Sequence, residues 1–393
     1  MEAERDRADA AVAECIRSFG TTIFTEMSQL AERHGAVNLS QGFPDFDGPD
    51  AIKRAAAEAL LAGPNQYAPS PGLPRLRRAV AAKMRRLYGV AVDPDREVTV
   101  TAGATEGLSA TLLGLLNPGD EVVLLEPAYD LYPAVVARAG ARAVPVALAD
   151  RSWELDGDAL AAAFGPRTRA IVINNPQNPC GKVFSRRELE WIGELCQRHD
   201  VLAIGDEVYE HLVYGDRRHV SLLQVEALAE RAVVISSCAK TFSMTGWKVG
   251  WAVARPPLTR GVRAAHQFLT FATPGPLQQA MAEAIDSSDA YLDELLADYS
   301  RKRELLCTAL ERVGFDVLWP AGTYYTNIDL GGLDFADDVD FCRRLPAEAG
   351  VAAIPNSNFY AGRRGGRRSV RFCFCKREAT LREAVRRLEV YKR

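Results

Sequence analysis

The chain of 393 residues is 48% hydrophobic and 25% charged, with a net charge of −3. A chain of this length buries a large core and has room for more than one domain. Its near balance of charge excludes the strong basic field that draws nucleic acid or an anionic membrane.

From the N-terminus, MEAERDRADAAVAECIRSFG mixes acids and bases with no apolar stretch, so no signal peptide is expected. No run of about 18 apolar residues marks a membrane span. TTIFTEMSQLAERHG reads as an amphipathic helix closing on Gly35. From about residue 73 to 253, helical and strand-like segments alternate. PRLRRAVAAKMRRLYG sets Leu76, Val80, Met84 and Leu87 at helical spacing and ends at Gly89. EVTVTAG is a short strand entering a Gly-Ala-Thr turn, and TEGLSATLLGLL is a helix stopped by Asn117-Pro118-Gly119. EVVLLEP, RAVPVAL and RAIVINNP are strands, with the helix YDLYPAVVARAG between the first two. In SRRELEWIGELCQRHD, Ser185 and Glu188 form a capping box. VLAIGDEVYEH, AVVISSCAK and WKVGWAVA complete the series.

This alternation predicts an α/β fold with a mostly parallel, helix-covered sheet. After about residue 271 come a long helical stretch, FDVLWPAGTYYTNIDL, a helix, VAAIP, SVRFCFCK and a last helix. The expected division is a large domain over residues 51–285 and a smaller α+β domain from residues 1–50 and 286–393. The eight cysteines contain no CxxC pair and the five histidines stand apart, so reduced thiols in a cytoplasmic protein are expected, with no metal site. Short arginine patches, such as Arg75, Arg77 and Arg78, read as solvated faces.

In open parallel sheets, ligands sit outside the carboxyl ends of the strands. Three such ends carry unusual polar groups: residues 174–179 after RAIVIN, Asp206 to Tyr209 after VLAIG, and Ser237 to Lys240 after AVVIS. Each has an ordinary reading, since Asp-Glu after a strand caps helices and a lone lysine sits on surfaces. Their common position makes Asn178, Asp206, Tyr209, Ser237 and Lys240 converge on one crevice.

NNPQNPCGKVF, AIGDEVYEHLVY, SSCAKTFSMTGWKVGW and SVRFCFCK resemble the signature blocks of the class I/II aminotransferases, fold type I enzymes that use pyridoxal 5′-phosphate. NLSQGFPDF and NQYAPSPGLP are similar to blocks of its kynurenine–glutamine–methionine aminotransferase branch. The resemblance spans roughly residues 24–376.

What it implies follows the chemistry of the cofactor. Lys240 would form the Schiff base and then move protons, which asks for an amine pKa lowered by burial and neighbouring cations. Asp206 would hold the pyridine nitrogen protonated. Tyr209 and Asn178 would donate to the phenolic oxygen, and Tyr129 would stack on the ring. Backbone N–H groups of Ala104 and Thr105 at a helix N-terminus, the Ser237 hydroxyl and Lys248 would take the phosphate. Tyr67 would reach the same phosphate in the neighbouring subunit, which implies a homodimer with shared active sites. Arg371 would fork the substrate's α-carboxylate, with Asn178 and backbone around Gly42 completing that pocket.

Leu131, Cys180 and the tyrosines of GTYYTNIDL depart from the family's usual residues and bear on substrate choice. With no evident second arginine for a distal carboxylate, the expected reaction is transamination between an aromatic or neutral L-amino acid and a 2-oxo acid. A cysteine-conjugate β-lyase or an oxidative biosynthetic enzyme would use the same site. A non-enzymatic PLP-binding regulator would need a basic helix-turn-helix ahead of the body, and only about twenty residues precede the first matched helix.

Overall fold

A computed structural model describes residues 11–17, 19–20, 22–331 and 334–391. The first expected helix appears as α1 (Ile23–Arg33), capped by the Thr22 hydroxyl, and buries Ile23, Met27 and Ala31 along one stripe. Thr21, the first residue of the expected segment, lies outside the described residues. After β1 (Val37–Asn38) come α2 (Asp50–Ala62) and α3 (Pro74–Tyr88). The last of these starts with proline in its first turn and stops at Gly89 in the left-handed region.

The alternating region then runs β2 (Val98–Thr101), α4 (Gly103–Leu115), β3 (Glu121–Glu126), α5 (Leu131–Arg138), β4 (Arg142–Ala147), β5 (Thr168–Asn174), α6 (Arg186–His199), β6 (Leu202–Asp206), β7 (Ala232–Ser237), α7 (Cys238–Thr241) and β8 (Gly250–Ala254). These strands form one seven-stranded sheet in the order β2-β8-β7-β6-β5-β3-β4. Every neighbouring pair is parallel except those of β8, which runs antiparallel to β2 and β7. Alternate residues of the strands feed two cores: Ile171, Ile173 and Val234 face one, Val172, Ile204 and Ile235 the other. Burial on both faces explains why these strands read as continuous apolar runs. Each fully buried Ile or Val contributes about 1.5–3 kcal/mol. The capping box on α6 is present in both directions, with the Glu188 N–H donating to the Ser185 hydroxyl and the Ser185 N–H to the Glu188 carboxylate.

The rest of the chain continues through α8 (Pro256–Leu269), α9 (Gly275–Asp286), α10 (Asp289–Val313), β9 (Asp316–Leu318), β10 (Tyr325–Asp329), α11 (Asp338–Glu348), β11 (Val351–Ala352), β12 (Ile354–Pro355), β13 (Ser369–Cys373) and α12 (Glu378–Tyr391). A four-stranded antiparallel sheet, β12-β13-β10-β9, has its own core, which includes Tyr299, Phe341, Phe372 and Phe374. The parallel pair β1–β11 ties the N-terminal segment to this part of the molecule. Among the described residues, no helix is long and apolar enough to cross a membrane.

Candidate active site

In register across the sheet, Asn174 pairs with Asp206 and Asp206 with Ile235, so β5, β6 and β7 end side by side. The loops after these ends meet the turn at Gly42 and strand β13, through Lys240 on Gly42 and Asn178 on Arg371.

Asp206 is buried at the last position of β6. One carboxylate oxygen accepts from the Tyr132 hydroxyl at 2.6 Å, and the other from the Val208 N–H at 3.4 Å. Burial raises its pKa to about 6, against the opposing pull of Tyr132, the Val208 N–H and Lys240. The carboxylate therefore has room for one more donor, preferably cationic.

Lys240 lies in α7, the single turn after β7. Its Nζ donates to the Gly42 carbonyl at 3.3 Å and lies within 6 Å of the Tyr209 and Tyr324 ring centroids, at 5.9 and 5.7 Å. Burial first, then the charges of Lys248 and Arg371, lower its pKa to about 8, while Cys375 and Asp206 oppose them. At neutral pH about a tenth of the amine is then unprotonated and nucleophilic.

The Gly42 carbonyl also accepts from Tyr324 Oη at 2.6 Å. A Cβ on Gly42 would stand 1.9 Å from Tyr325 Oη, so only glycine fits between these groups. Tyr209 is buried, and its hydroxyl meets that of Tyr325 at 3.2 Å. Burial pushes the Tyr209 phenol well above its ordinary pKa, so it remains a neutral donor.

Beside β2, Gly103 takes a left-handed φ of +72° and opens α4, leaving the N–H groups of Ala104 and Thr105 in the first turn. Lys248 Nζ lies 3.3 Å from the Thr105 hydroxyl, and a Cβ on Gly103 would stand 3.4 Å from that amine. Ser237 closes β7 nearby and is buried. Helix N-terminus, hydroxyls and an ammonium form a cradle that could hold a phosphate.

Arg371 is fully buried in the middle of β13, opposite Asn327 and Ile354. Its Nη1 donates to Asn178 Oδ1 at 2.7 Å and its Nη2 to the Ser40 carbonyl at 2.8 Å, while Nε has no partner. The guanidinium sits over the Tyr325 ring at 4.0 Å, with the rings of Phe24 and Phe359 each at 5.3 Å. A buried cation spending its donors on neutral acceptors has free capacity for a carboxylate.

Of the residues singled out in the sequence, Asp206, Tyr209, Asn178, Lys240, Gly42 and Arg371 meet here, with Ala104, Thr105, Ser237 and Lys248 at the cradle. Tyr129 is half-buried, its ring edge-on to Tyr132 at 5.8 Å. Tyr67 is apart from them, 87% exposed and edge-on to Phe271. Sequence reasoning missed Tyr132, and it marked Tyr324 and Tyr325 only as unusual residues that bear on substrate choice. The hydroxyl partners of these tyrosines are set by tertiary approach, and the only available signal was the unusual GTYYTNIDL block.

A lysine with a depressed pKa, a carboxylate short of one cationic donor, and a cradle for phosphate fit pyridoxal 5′-phosphate by the chemistry of their donors. Fold and site together define a fold type I PLP-dependent transferase. The sequence profile of aminotransferase class I and II matches residues 34–388, and the chain belongs to that family. A protein of Mycobacterium tuberculosis named as a probable N-succinyldiaminopimelate aminotransferase is 48% identical over 385 residues, covering 95% of this chain and 97% of that one. The methionine aminotransferase of Escherichia coli is 42% identical over 369 residues, covering 94% and 95%. The solved structure of N-succinyldiaminopimelate aminotransferase from M. tuberculosis superposes with a TM-score of 0.95 over 97% of this chain and 100% of that one, at 48% identity.

Proposed function

We propose that this PLP-dependent aminotransferase takes an aromatic or neutral L-amino acid, of the methionine, glutamine or kynurenine kind, and returns its amino group to a 2-oxo acid in a ping-pong cycle. The observation that carries the substrate reading is the Arg371 cage. The guanidinium is walled by Phe24, Tyr325 and Phe359, and Asp130 is close enough to feel its charge. An amino acid with an apolar or aromatic side chain suits a pocket lined by such rings.

The cofactor, when bound, supplies the aldehyde that accepts an amino group and a ring that draws electrons from the substrate's Cα. The residues do the rest. Arg371 and Asn178 bind the α-carboxylate and fix which face of Cα meets Lys240. The ε-amine of Lys240 removes the proton from Cα of the amino acid and delivers one to Cα of the oxo acid in the return half-reaction. Asp206 holds the pyridine nitrogen protonated, steadied by Tyr132. Tyr209 and Asn178 hydrogen-bond the phenolic oxygen, and Tyr129 covers the ring. Ala104, Thr105, Ser237 and Lys248 hold the phosphate.

Tyr67 is too exposed to serve its own chain's cradle. We assign it to the phosphate of a second copy, in a cytoplasmic homodimer with shared sites. The exposed Leu61, Phe268 and Phe271 support such a contact. The domain division proposed is residues 51–285 against residues 1–50 with 286–393, in keeping with the separate sheets.

A second reading is an N-acylated diamino acid donor, favoured by the 48% identity to the M. tuberculosis relative. Its distal acid would need a cation. Lys376, buried and donating to the Phe43 carbonyl at 2.7 Å, is a further cation beside the Gly42 turn, in addition to Lys240 and Arg371.

Absorbance titration of the holoenzyme with a panel of amino acids tests both readings. Conversion of the cofactor to its pyridoxamine form by methionine, glutamine or kynurenine supports the first, and conversion by N-succinyldiaminopimelate alone supports the second. Steady oxo-acid release without an acceptor would reveal a lyase or oxidase instead.

A further inference from the structure

His266 lies one turn from the end of α8 and is fully buried, yet both ring nitrogens face polar atoms of other segments. Nε2 lies 2.8 Å from the Ser70 carbonyl, and Nδ1 lies 3.0 Å from Glu106 Oε1. A carbonyl has no proton to give, so Nε2 carries the hydrogen of that bond. The Nδ1–carboxylate contact needs a proton between its two atoms. Donated by the ring, that proton makes it an imidazolium. The Thr270 hydroxyl, 3.3 Å from Nδ1, is a neutral neighbour on the same helix end. Arg263, one turn back, is directed away, to Thr99 Oγ1 and the carbonyls of Asp95 and Val98. Glu106 is thus the charged group meeting the ring from the elements packed on it.

The two partners belong to different parts of the site. Glu106 sits in the first turn of α4, and its second oxygen accepts the Ala102 N–H at 3.0 Å, fixing the turn that presents Gly103, Ala104 and Thr105. Ser70 belongs to the loop that carries Tyr67. That ring rests on Phe271, whose N–H in turn donates to the His266 carbonyl. One side chain therefore bridges the phosphate cradle and the exposed face assigned above to the second subunit.

We propose that His266, held doubly protonated, is a positioning residue that locks the phosphate cradle and the Tyr67 loop to each other, so that cofactor binding and subunit pairing reinforce one another. This rests on the shared-site homodimer reading. Burial disfavours the charged ring, but the Glu106 carboxylate and the Ser70 carbonyl outweigh it and raise the His266 pKa above 6.5. The lock is then complete below that ordinary value and is lost as pH rises through the raised one.

The test is sedimentation of the full chain with and without pyridoxal 5′-phosphate, across pH, for wild type, H266Q and E106Q. In wild type the cofactor should tighten pairing about tenfold or more, within the usual range of coupling between sites, and the factor should shrink as pH rises above the His266 pKa. In H266Q it should fall below about threefold at every pH. The side-chain amide introduced by E106Q can accept from the Ala102 N–H and donate to a neutral imidazole. E106Q should therefore keep the coupling but lose its pH dependence, and it carries the test if H266Q does not fold. Wild-type coupling in H266Q, or an unchanged pH slope in E106Q, overturns the role of His266 while leaving the dimer standing. A wild-type chain that stays monomeric overturns the dimer reading and this inference together.

Discussion

Arg371 and Asn178 are joined by a 2.7 Å hydrogen bond that leaves the Asn178 amide nitrogen and the Arg371 Nε uncommitted. The two side chains come from β13 and from the loop after β5, so the bond ties the two sheets together at the point where a carboxylate would enter. A guanidinium forks a carboxylate with two parallel donors, which an ammonium cannot do. Arg371→Lys should raise KM for both the amino acid and the oxo acid by about 10–100-fold, the loss of one or two charge-assisted hydrogen bonds. A smaller fall is expected in kcat. Steady-state kinetics with each substrate varied checks this, and unchanged KM values would remove Arg371 from the carboxylate pocket.

Gly42 has no room for a methyl group beside the Tyr325 hydroxyl. Gly42→Ala should push the turn away from Lys240 and Tyr324, lower kcat/KM by about 10²-fold and destabilise the fold by about 1–3 kcal/mol. Adding Tyr325→Phe removes the hydroxyl that clashes and should recover part of both losses. Thermal unfolding and kinetics of the two single variants and the double variant form the cycle, and strict additivity would contradict the contact.

Lys248 offers its charge to the cradle and not to the ring. Lys248→Met should weaken pyridoxal 5′-phosphate binding by about 10–100-fold, the worth of one charged hydrogen bond, and weaken binding of pyridoxal itself far less, through the small rise in the Lys240 pKa alone. Fluorescence titration of the apoprotein with both compounds distinguishes a phosphate contact from general damage.

The Lys240 amine, with its pKa lowered to about 8, should become nucleophilic well below the range of an ordinary lysine. Acylation of the apoprotein across pH, followed by peptide mapping, should show half-maximal labelling of Lys240 near that value as the unprotonated form grows in with rising pH. Labelling that follows an ordinary exposed lysine instead would mean that burial does not tune this group.

Much of this was legible in the sequence because strands buried on both faces are written as apolar runs, as in RAIVIN and AVVISS. The residues closing those runs, Asn174, Asp206 and Ser237, are brought side by side by parallel register alone. The direction of β8 was not legible, because WKVGWAVA has the same pattern whichever way it runs. Tyr132 was not legible as a site residue, and Tyr325 only as an unusual tyrosine bearing on substrate choice. An aromatic in a helix or strand reads as core, and only the approach of Asp206 to one and of Arg371 to the other gives them a different character. Arg371 was found through the family's block and not through its surroundings, which come from five separate segments of chain, at Phe24, Ser40, Asn178, Tyr325 and Phe359.

Reduction of the holoenzyme with borohydride, followed by peptide mapping, tests the core of the account most directly. A pyridoxyl adduct on Lys240, and on no other lysine, is the expected result. An adduct on Lys248 or elsewhere, or none at all, would contradict the placement of the reacting amine at the end of β7.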